Sequence, residues 1–375
     1  MSKWHTRTET AEQVGAAIAP DEAFLPMHRD RRKGIVRARA PLRLGLAGGG
    51  TDLADYCDRF GGAVLNATID RYAFAFIAES PDGLVHFHAR DIATEETHTP
   101  ADALASSRLP LHRGAYEAFV RRYNGGKPLA ITVTTTVDSP PGSGFGSSSA
   151  LMVALVEAYA TWLGVPLGPY DVAHLAFEIE RIDLKLSGGK QDQFAAAFGG
   201  VNFIEFFAGD RVIVNPLRVP GDILNEFESS LAVCFSGQAR NSDRIITLQN
   251  AGLAASSEAT LNAMHQLKED AAEMKRALLA GDIRGIGKVL GHSWLAKKET
   301  AEGISSPLIE KLLGAGLEAG AFAGKVSGAG GGGFLMFVVP PEKRFDLIQR
   351  LNAAGGVASP VKFTAKGSET WIARG

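Results

Sequence analysis

Residues 35–47 (IVRARAPLRLGLA) alternate apolar and polar positions, the period of a half-buried strand, and run into a glycine turn at Gly48-Gly49-Gly50. Strand-like runs follow at 64–78 and 85–89, then a helix near 114–124 and a β-branched strand at 130–137 (AITVTTTV). Apolar residues at helical spacing predict helices over 148–163 and 169–184, the second carried by Val172, Leu175, Ala176 and Ile179. Beyond residue 200 the pattern predicts strands at 201–206, 211–215 and 231–235, then helical stretches over much of 240–298 and over 307–319. A strand at 322–327, five glycines among six residues at 328–333, a strand at 334–339, a helix at 343–353 and two closing strands complete the chain. Strands and helices interleave without a strict β-α-β rhythm, which predicts an α+β fold rather than a doubly wound sheet. No internal repeat is visible.

At 375 residues the chain is long enough for two domains, and a boundary is expected near residue 205, between 35–205 and 206–375. Residues 1–34 sustain no period and carry the charge run His28-Arg29-Asp30-Arg31-Arg32-Lys33, which reads as a solvated arm. Within it His28-Arg29-Asp30 spells a protein-kinase triplet, but Ile35 stands where that motif requires Asn. Acidic and basic residues nearly cancel, 41 against 39, which argues against a nucleic-acid or anionic-membrane binder. Two cysteines, Cys57 and Cys234, cannot build a disulfide framework, so a reducing compartment is expected. The longest apolar stretch, 150–165, is interrupted by Glu157 and is shorter than the roughly 20 residues a bilayer needs. The first residues are polar and lack the apolar core of a secretion signal, which leaves the cytoplasm as the expected location.

One compositional value changes the picture. The 43 glycines are about 11% of the chain, against about 7% in ordinary proteins. Part of the excess falls in Pro140-Pro141-Gly142-Ser143-Gly144-Phe145-Gly146-Ser147-Ser148-Ser149, ahead of a helix. Glycines at alternate positions let backbone N–H groups approach a ligand, serines add hydroxyl donors, and the helix adds its positive dipole end. The combination suits a polyphosphate, although the Gly-Lys-Ser/Thr of a Walker loop is absent. A simple N-cap would need one serine, not three among three glycines. Gly328-Ala329-Gly330-Gly331-Gly332-Gly333 formally matches a dinucleotide fingerprint, but FLMFVV after it is a strand and not a helix. A loop lying against a ligand or another loop explains these glycines better than a tight hairpin does.

Residues 178–193 (EIERIDLKLSGGKQDQ) concentrate charge beside a glycine pair. Glu180 lies one position off the apolar stripe and can face a cleft, whereas Glu178 and Asp183 read as solvated. Asp192 enters an apolar segment, either as a partnered carboxylate or as the N-cap of a helix over 193–198. Arg43, within an apolar strand, is either a paired structural cation or an organiser of phosphate and carboxylate. The histidines have no metal-binding spacing and neither cysteine has a partner nearby, which excludes a structural zinc site.

Three separated segments resemble one family. They are Ala40-Pro41-Leu42-Arg43-Leu44-Gly45 through Asp52, Pro141 through Ala150, and Lys325-Val326-Ser327-Gly328-Ala329-Gly330-Gly331-Gly332. In order and spacing they resemble the GHMP small-molecule kinases, which include galactokinase, homoserine kinase, mevalonate kinase and phosphomevalonate kinase. The resemblance covers about residues 36–375 and implies two domains, the first like ribosomal protein S5 domain 2 and the second ferredoxin-like, with the active site between them. It implies ATP held by Pro141, Gly142, Ser143, Gly144, Phe145, Gly146, Ser147, Ser148 and Ser149, and Mg²⁺ held by Ser148 and Glu180. Asp192 would orient and deprotonate the acceptor, with Arg43 keeping it ionised and stabilising the transferred phosphoryl.

Within the family, the segments 41–53, 65–73, 187–206 and 292–312 are most similar to the bacterial heptose 7-phosphate kinases. That similarity implies transfer to the anomeric hydroxyl of a small sugar phosphate, giving a 1,7-bisphosphate for nucleotide-activated heptose. Gly49, Gly50, Thr51 and Asp52 would form the sugar end of the site, together with Gly189, Gly328 and Gly330. Arg240, in a loop between a strand and a helix, is a candidate for the acceptor's distal phosphate, with a plain surface arginine as the alternative. A fucokinase-like or other anomeric sugar kinase, a diphosphate decarboxylase on the same fold and a non-catalytic sugar or ATP module remain as rivals. The assembly state is open, a homodimer among the options.

Overall fold

The computed structural model describes residues 34–100, 106–238, 242–255 and 257–374. Expectations about the arm 1–33, the kinase-like triplet inside it and Arg240 therefore lie outside the described residues. The strands are β1 (Gly34–Ala47), β2 (Gly62–Glu79), β3 (Val85–Ala89), β4 (Thr94–His98), β5 (Ile131–Val137), β6 (Val201–Phe206), β7 (Val212–Pro216), β8 (Leu231–Phe235), β9 (Ala323–Val326), β10 (Phe334–Val338), β11 (Val357–Pro360) and β12 (Glu369–Arg374). The helices are α1 (Ala54–Phe60), α2 (Pro110–Tyr123), α3 (Ser147–Leu163), α4 (Pro169–Phe177), α5 (Gln191–Phe198), α6 (Gly221–Ser229), α7 (Ser242–Ala254), α8 (Glu258–Leu279), α9 (Ile283–Glu299), α10 (Pro307–Glu318) and α11 (Arg344–Ala353).

Two sheets organise these elements. The first has the order β12-β1-β2-β5-β3-β4, with β6 and β7 added beside β2. β2 is 18 residues long and can take two neighbours on one edge, β6 along Gly62–Ala67 and β5 along Ala73–Glu79. α3 packs on β1 and β2 and is apolar nearly all round, as expected of a helix at the centre of a core. Its one acid, Glu157, accepts a hydrogen bond from Ser368 at 2.6 Å, and burial raises its pKa.

The second sheet has the order β11-β8-β10-β9, all antiparallel, with the helices α7–α10 between β8 and β9 and α11 between β10 and β11. This β-α-β-β-α-β sequence is the ferredoxin-like arrangement. The α+β expectation thus holds in both sheets.

The expected division at 205 is displaced. β7 continues the first sheet to residue 216, and β12 brings the last strand of the chain back to pair with β1, so a cut at 205 would divide that sheet. The reason is hydrogen bonding: β1 and β6 would otherwise present unpaired edges. Cys57 and Cys234 are buried free thiols, and desolvation pushes both up to about 12. No helix among the described residues is long and apolar enough to cross a membrane.

Candidate active site

A cavity of about 670 Å³ opens between the two sheets and takes its walls from β1, the 142–149 loop, the 186–192 segment, α7, α9 and β9. In the 142–149 loop, Gly142, Gly144 and Gly146 have φ of 71°, 86° and 71°, a left-handed conformation that favours glycine. The side chains between them turn inward. Ser143 is buried, and the Phe145 ring stacks on Phe334 with centroids 4.1 Å apart. The three glycines therefore line the cavity together with Ser147, Ser148 and Ser149 at the start of α3, while Pro141, Ser143 and Phe145 do not.

The second glycine loop, 328–333, lies against the first. Phe334 N–H donates to the Ser143 carbonyl at 2.8 Å, Ser327 Oγ donates to the Gly144 carbonyl at 3.0 Å, and a Cβ on Gly333 would stand 2.4 Å from the Ser143 oxygen. Gly328 reaches the cavity wall; Gly330 does not line it, and a Cβ there would meet Ile304 at 2.7 Å.

Arg43 and Asp192 form the central pair. Arg43 Nε donates to Asp192 Oδ1 at 2.7 Å, Nη2 lies 2.6 Å from the same oxygen, and Nη1 donates to the Gly144 carbonyl at 2.6 Å. Asp192 sits inside the first turn of α5, whose capping position is Lys190, so its role is that of a partnered carboxylate and not of an N-cap. Gly146 makes room for it, since a Cβ there would stand 3.0 Å from Asp192 Cγ.

Glu180 is fully buried in a turn of π-helix over Glu178–Asp183 that continues α4, an irregularity often found at functional sites. Its Oε1 accepts from Ser148 Oγ at 3.0 Å and its Oε2 accepts from Gln193 Nε2 at 2.6 Å. Ser148 is on the cavity wall and Glu180 lies behind it. Glu178 and Asp183, expected to be solvated, face Arg122 and Arg121 in surface ion pairs.

At the other end, Asp52 is buried and accepts from the N–H groups of Gly50 (3.1 Å) and Gln191 (3.0 Å) and from Gln191 Nε2 (3.2 Å). Gly189 is required by this contact, because a Cβ there would fall 2.0 Å from Asp52 Oδ2. Gly49, Gly50, Asp52 and Gly189 all line the cavity. Thr51 does not: its hydroxyl donates towards the carbonyls of Gly48 and Ala63 and accepts from Ala63 N–H, which locks the turn.

The cavity also presents cations that sequence reasoning missed. Arg181 donates to the Gly189 carbonyl at 3.4 Å and to Ser149 Oγ at 3.3 Å. Lys297 donates to the Gly49 carbonyl at 3.0 Å. Lys325 is buried beside the Gly45 and Leu46 carbonyls; desolvation first, then the charges of Lys297 and Arg43, lower its pKa to about 7 against the pull of Asp270. One signal for Lys297 was available: it continues the buried stripe Ile286, Leu290 and Trp294 of α9.

Comparison with known proteins agrees with this geometry. Residues 110–200 match the model of the GHMP kinases N terminal domain, and residues 274–357 match that of the GHMP kinases C terminal. The chain is 41% identical over 337 residues to D-glycero-alpha-D-manno-heptose 7-phosphate kinase of Campylobacter jejuni, covering 90% of this chain and 98% of that one. A crystal structure of a D-glycero-D-manno-heptose 1-phosphate kinase from Bacteroides thetaiotaomicron superposes with a TM-score of 0.76 at 39% identity, over 91% of this chain and all of the other. A sugar kinase structure from Campylobacter jejuni gives 0.74 at 40% identity, over 90% and 98%. The chain belongs to the GHMP kinase family, phosphotransferases that use ATP as phosphate donor.

Proposed function

We propose that this protein transfers the γ-phosphoryl group of ATP to the anomeric hydroxyl of D-glycero-D-manno-heptose 7-phosphate, giving the 1,7-bisphosphate. The observation that carries the reading is the position of the Arg43–Asp192 pair. Asp192 touches Gly146 of the glycine-serine loop on one side and is followed back along the chain by Gln191, the partner of Asp52, on the other. A donor phosphate on the loop and a sugar against Asp52 would meet at this carboxylate.

In that arrangement the loop amides and serine hydroxyls hold the polyphosphate at the start of α3. Asp192 orients the acceptor hydroxyl and takes its proton. Arg43 holds Asp192 ionised and lends positive charge to the phosphoryl in flight. An anomeric hydroxyl is more acidic than an ordinary alcohol, which eases the demand on the base. Asp52 accepts from ring hydroxyls, and Gln191 Oε1, which has no hydrogen-bond partner among the described residues, offers a further acceptor.

Ser148 and Glu180 place hydroxyl and carboxylate oxygens 3.0 Å apart, hard donors of the kind Mg²⁺ takes alongside phosphate oxygens and water. With Ser148 on the cavity wall and Glu180 behind it, the remaining ligands of such a metal would come from the nucleotide and water. Bound there, Mg²⁺ would neutralise charge developing on the β- and γ-phosphates. An ATP-using enzyme with two buried free thiols fits the cytoplasm.

The names of the similar proteins agree on a heptose phosphate and differ on its position, 7 in one and 1 in the other. Product analysis decides between them. Incubation with ATP and heptose 7-phosphate is expected to release ADP and to yield a second phosphorus signal that couples to H1 of the sugar. Higher kcat/KM for unphosphorylated fucose, mannose or galactose than for heptose 7-phosphate would overturn the assignment.

A further inference from the structure

Lys297 and Lys325 reach the cavity from α9 and β9, and each is only 3% exposed. Lys325 holds the end of β1 and Lys297 the turn that follows it. Lys297 Nζ is 3.0 Å from the Gly49 carbonyl, and Lys325 Nζ is 3.2 Å from that of Leu46 and 3.5 Å from that of Gly45. A Cβ on Gly50 would stand 3.6 Å from Lys297 Nζ, so the ammonium lies beside the turn that also carries Asp52. Lys325 makes no salt bridge among the described residues; its Nζ also donates to Ser293 Oγ at 3.4 Å.

Burial first, and then the nearby charge of Lys297, lower the pKa of Lys325. The Lys325 ammonium, buried beside a second lysine, carries a desolvation and repulsion cost that an anion in the cavity would offset. The donor's phosphates have their own cradle in the 142–149 loop, whereas Lys297 holds the turn at the sugar end.

We infer that Lys297, backed by Lys325, binds the phosphate that the acceptor already carries and thereby selects sugar phosphates over their parent sugars. The inference rests on the acceptor being a sugar phosphate, as proposed above. It supplies a cation for that phosphate from α9, independently of Arg240.

The test compares kcat/KM for heptose 7-phosphate and unphosphorylated heptose, and for mannose 6-phosphate and mannose, in the wild type and in Lys297→Met and Lys297→Arg. The preference for the phosphorylated member is expected to fall about 10- to 100-fold in Lys297→Met, the range of a lost charge-assisted hydrogen bond, and to be largely kept in Lys297→Arg. A structural role in holding Gly49, or a role towards the transferred phosphoryl, would depress both members equally and would overturn the inference. If Lys297→Met is inactive on every acceptor, the milder neutral variant Lys297→Gln decides: a KM raised for the phosphorylated member alone supports the inference, and equal shifts sink it. Failure of the proposed function shows separately, as a wild type that ignores heptose 7-phosphate. The ratio is then read on the mannose pair, and a wild type that prefers free sugars throughout removes the subsite.

Discussion

Arg43 donates to Asp192 through Nε and to the Gly144 carbonyl through Nη1, so a single guanidinium fixes both the candidate base and the loop beside it. Asp192→Asn keeps the shape of the side chain and removes its charge and its capacity to take a proton. The variant should lose about 10²- to 10⁴-fold in kcat, the usual contribution of a positioned base, with a smaller effect on the KM for ATP. Steady-state kinetics at saturating acceptor checks this, and turnover near wild type would dismiss Asp192 as the base. Arg43 and Asp192 were legible in the sequence because a charge inside or entering an apolar run demands a partner, whereas Asp52 was reached only through the family resemblance. Lys297 and Lys325 were not, since lysine stems pack on apolar surface anywhere and burial of the ammonium depends on contacts distant in sequence. Thr51 shows the opposite case: the resemblance implied ligand contact, yet its hydroxyl is consumed by the turn itself.

At the scale of elements, the glycine-rich segments work as close-approach surfaces. Gly146 borders Asp192, Gly189 borders Asp52, and Gly333 borders the Ser143 carbonyl. Of these, Gly189 gives the cleanest perturbation, because a side chain there acts by steric contact with the carboxylate. Gly189→Ala should displace Asp52 from the Gln191 N–H and raise the KM for the acceptor while leaving the 142–149 loop intact. A misplacement of about 1 Å can cost on the order of 100-fold in kcat/KM. An unchanged acceptor KM would show that Asp52 does not touch the sugar.

Most of the regular elements could be read from alternation and helical period, including β1, β2, β5, α3 and the strands flanking the 328–333 loop. The elements that escaped notice are short or polar. α1 has seven residues, β4 (TEETH) has no apolar residue to alternate, and α6 (GDILNEFES) buries only Phe227. These are held by tertiary partners, β4 by β3 for example, which a local pattern does not contain.

At the scale of the molecule, the tail is the feature no local pattern could supply. After β11 the chain crosses back over the first sheet. Thr364 N–H donates to the Thr68 carbonyl at 3.0 Å, Gly200 N–H donates to the Thr364 carbonyl at 3.2 Å, and β12 pairs with β1 from Gly34↔Arg374 to Arg39↔Glu369. The crossing is close enough to need glycine on both sides, since a Cβ on Gly199 would stand 2.1 Å from Gly367 N and one on Gly367 would stand 2.1 Å from the Ala197 carbonyl. Ala197 belongs to α5, the helix that carries Asp192, so the tail braces the far end of that helix while closing the edge of the sheet. Deleting residues 361–375 should therefore damage both stability and chemistry. Thermal unfolding is expected to fall by about 5 °C or more, given roughly 2–4 °C per kcal/mol in domains approaching this size. Hydrogen exchange should accelerate at the β1 amides that lose β12 and along α5, and kcat should fall with it. A truncated chain with the wild-type melting temperature and unchanged protection of β1 and α5 would show that the first sheet does not depend on its returning strand.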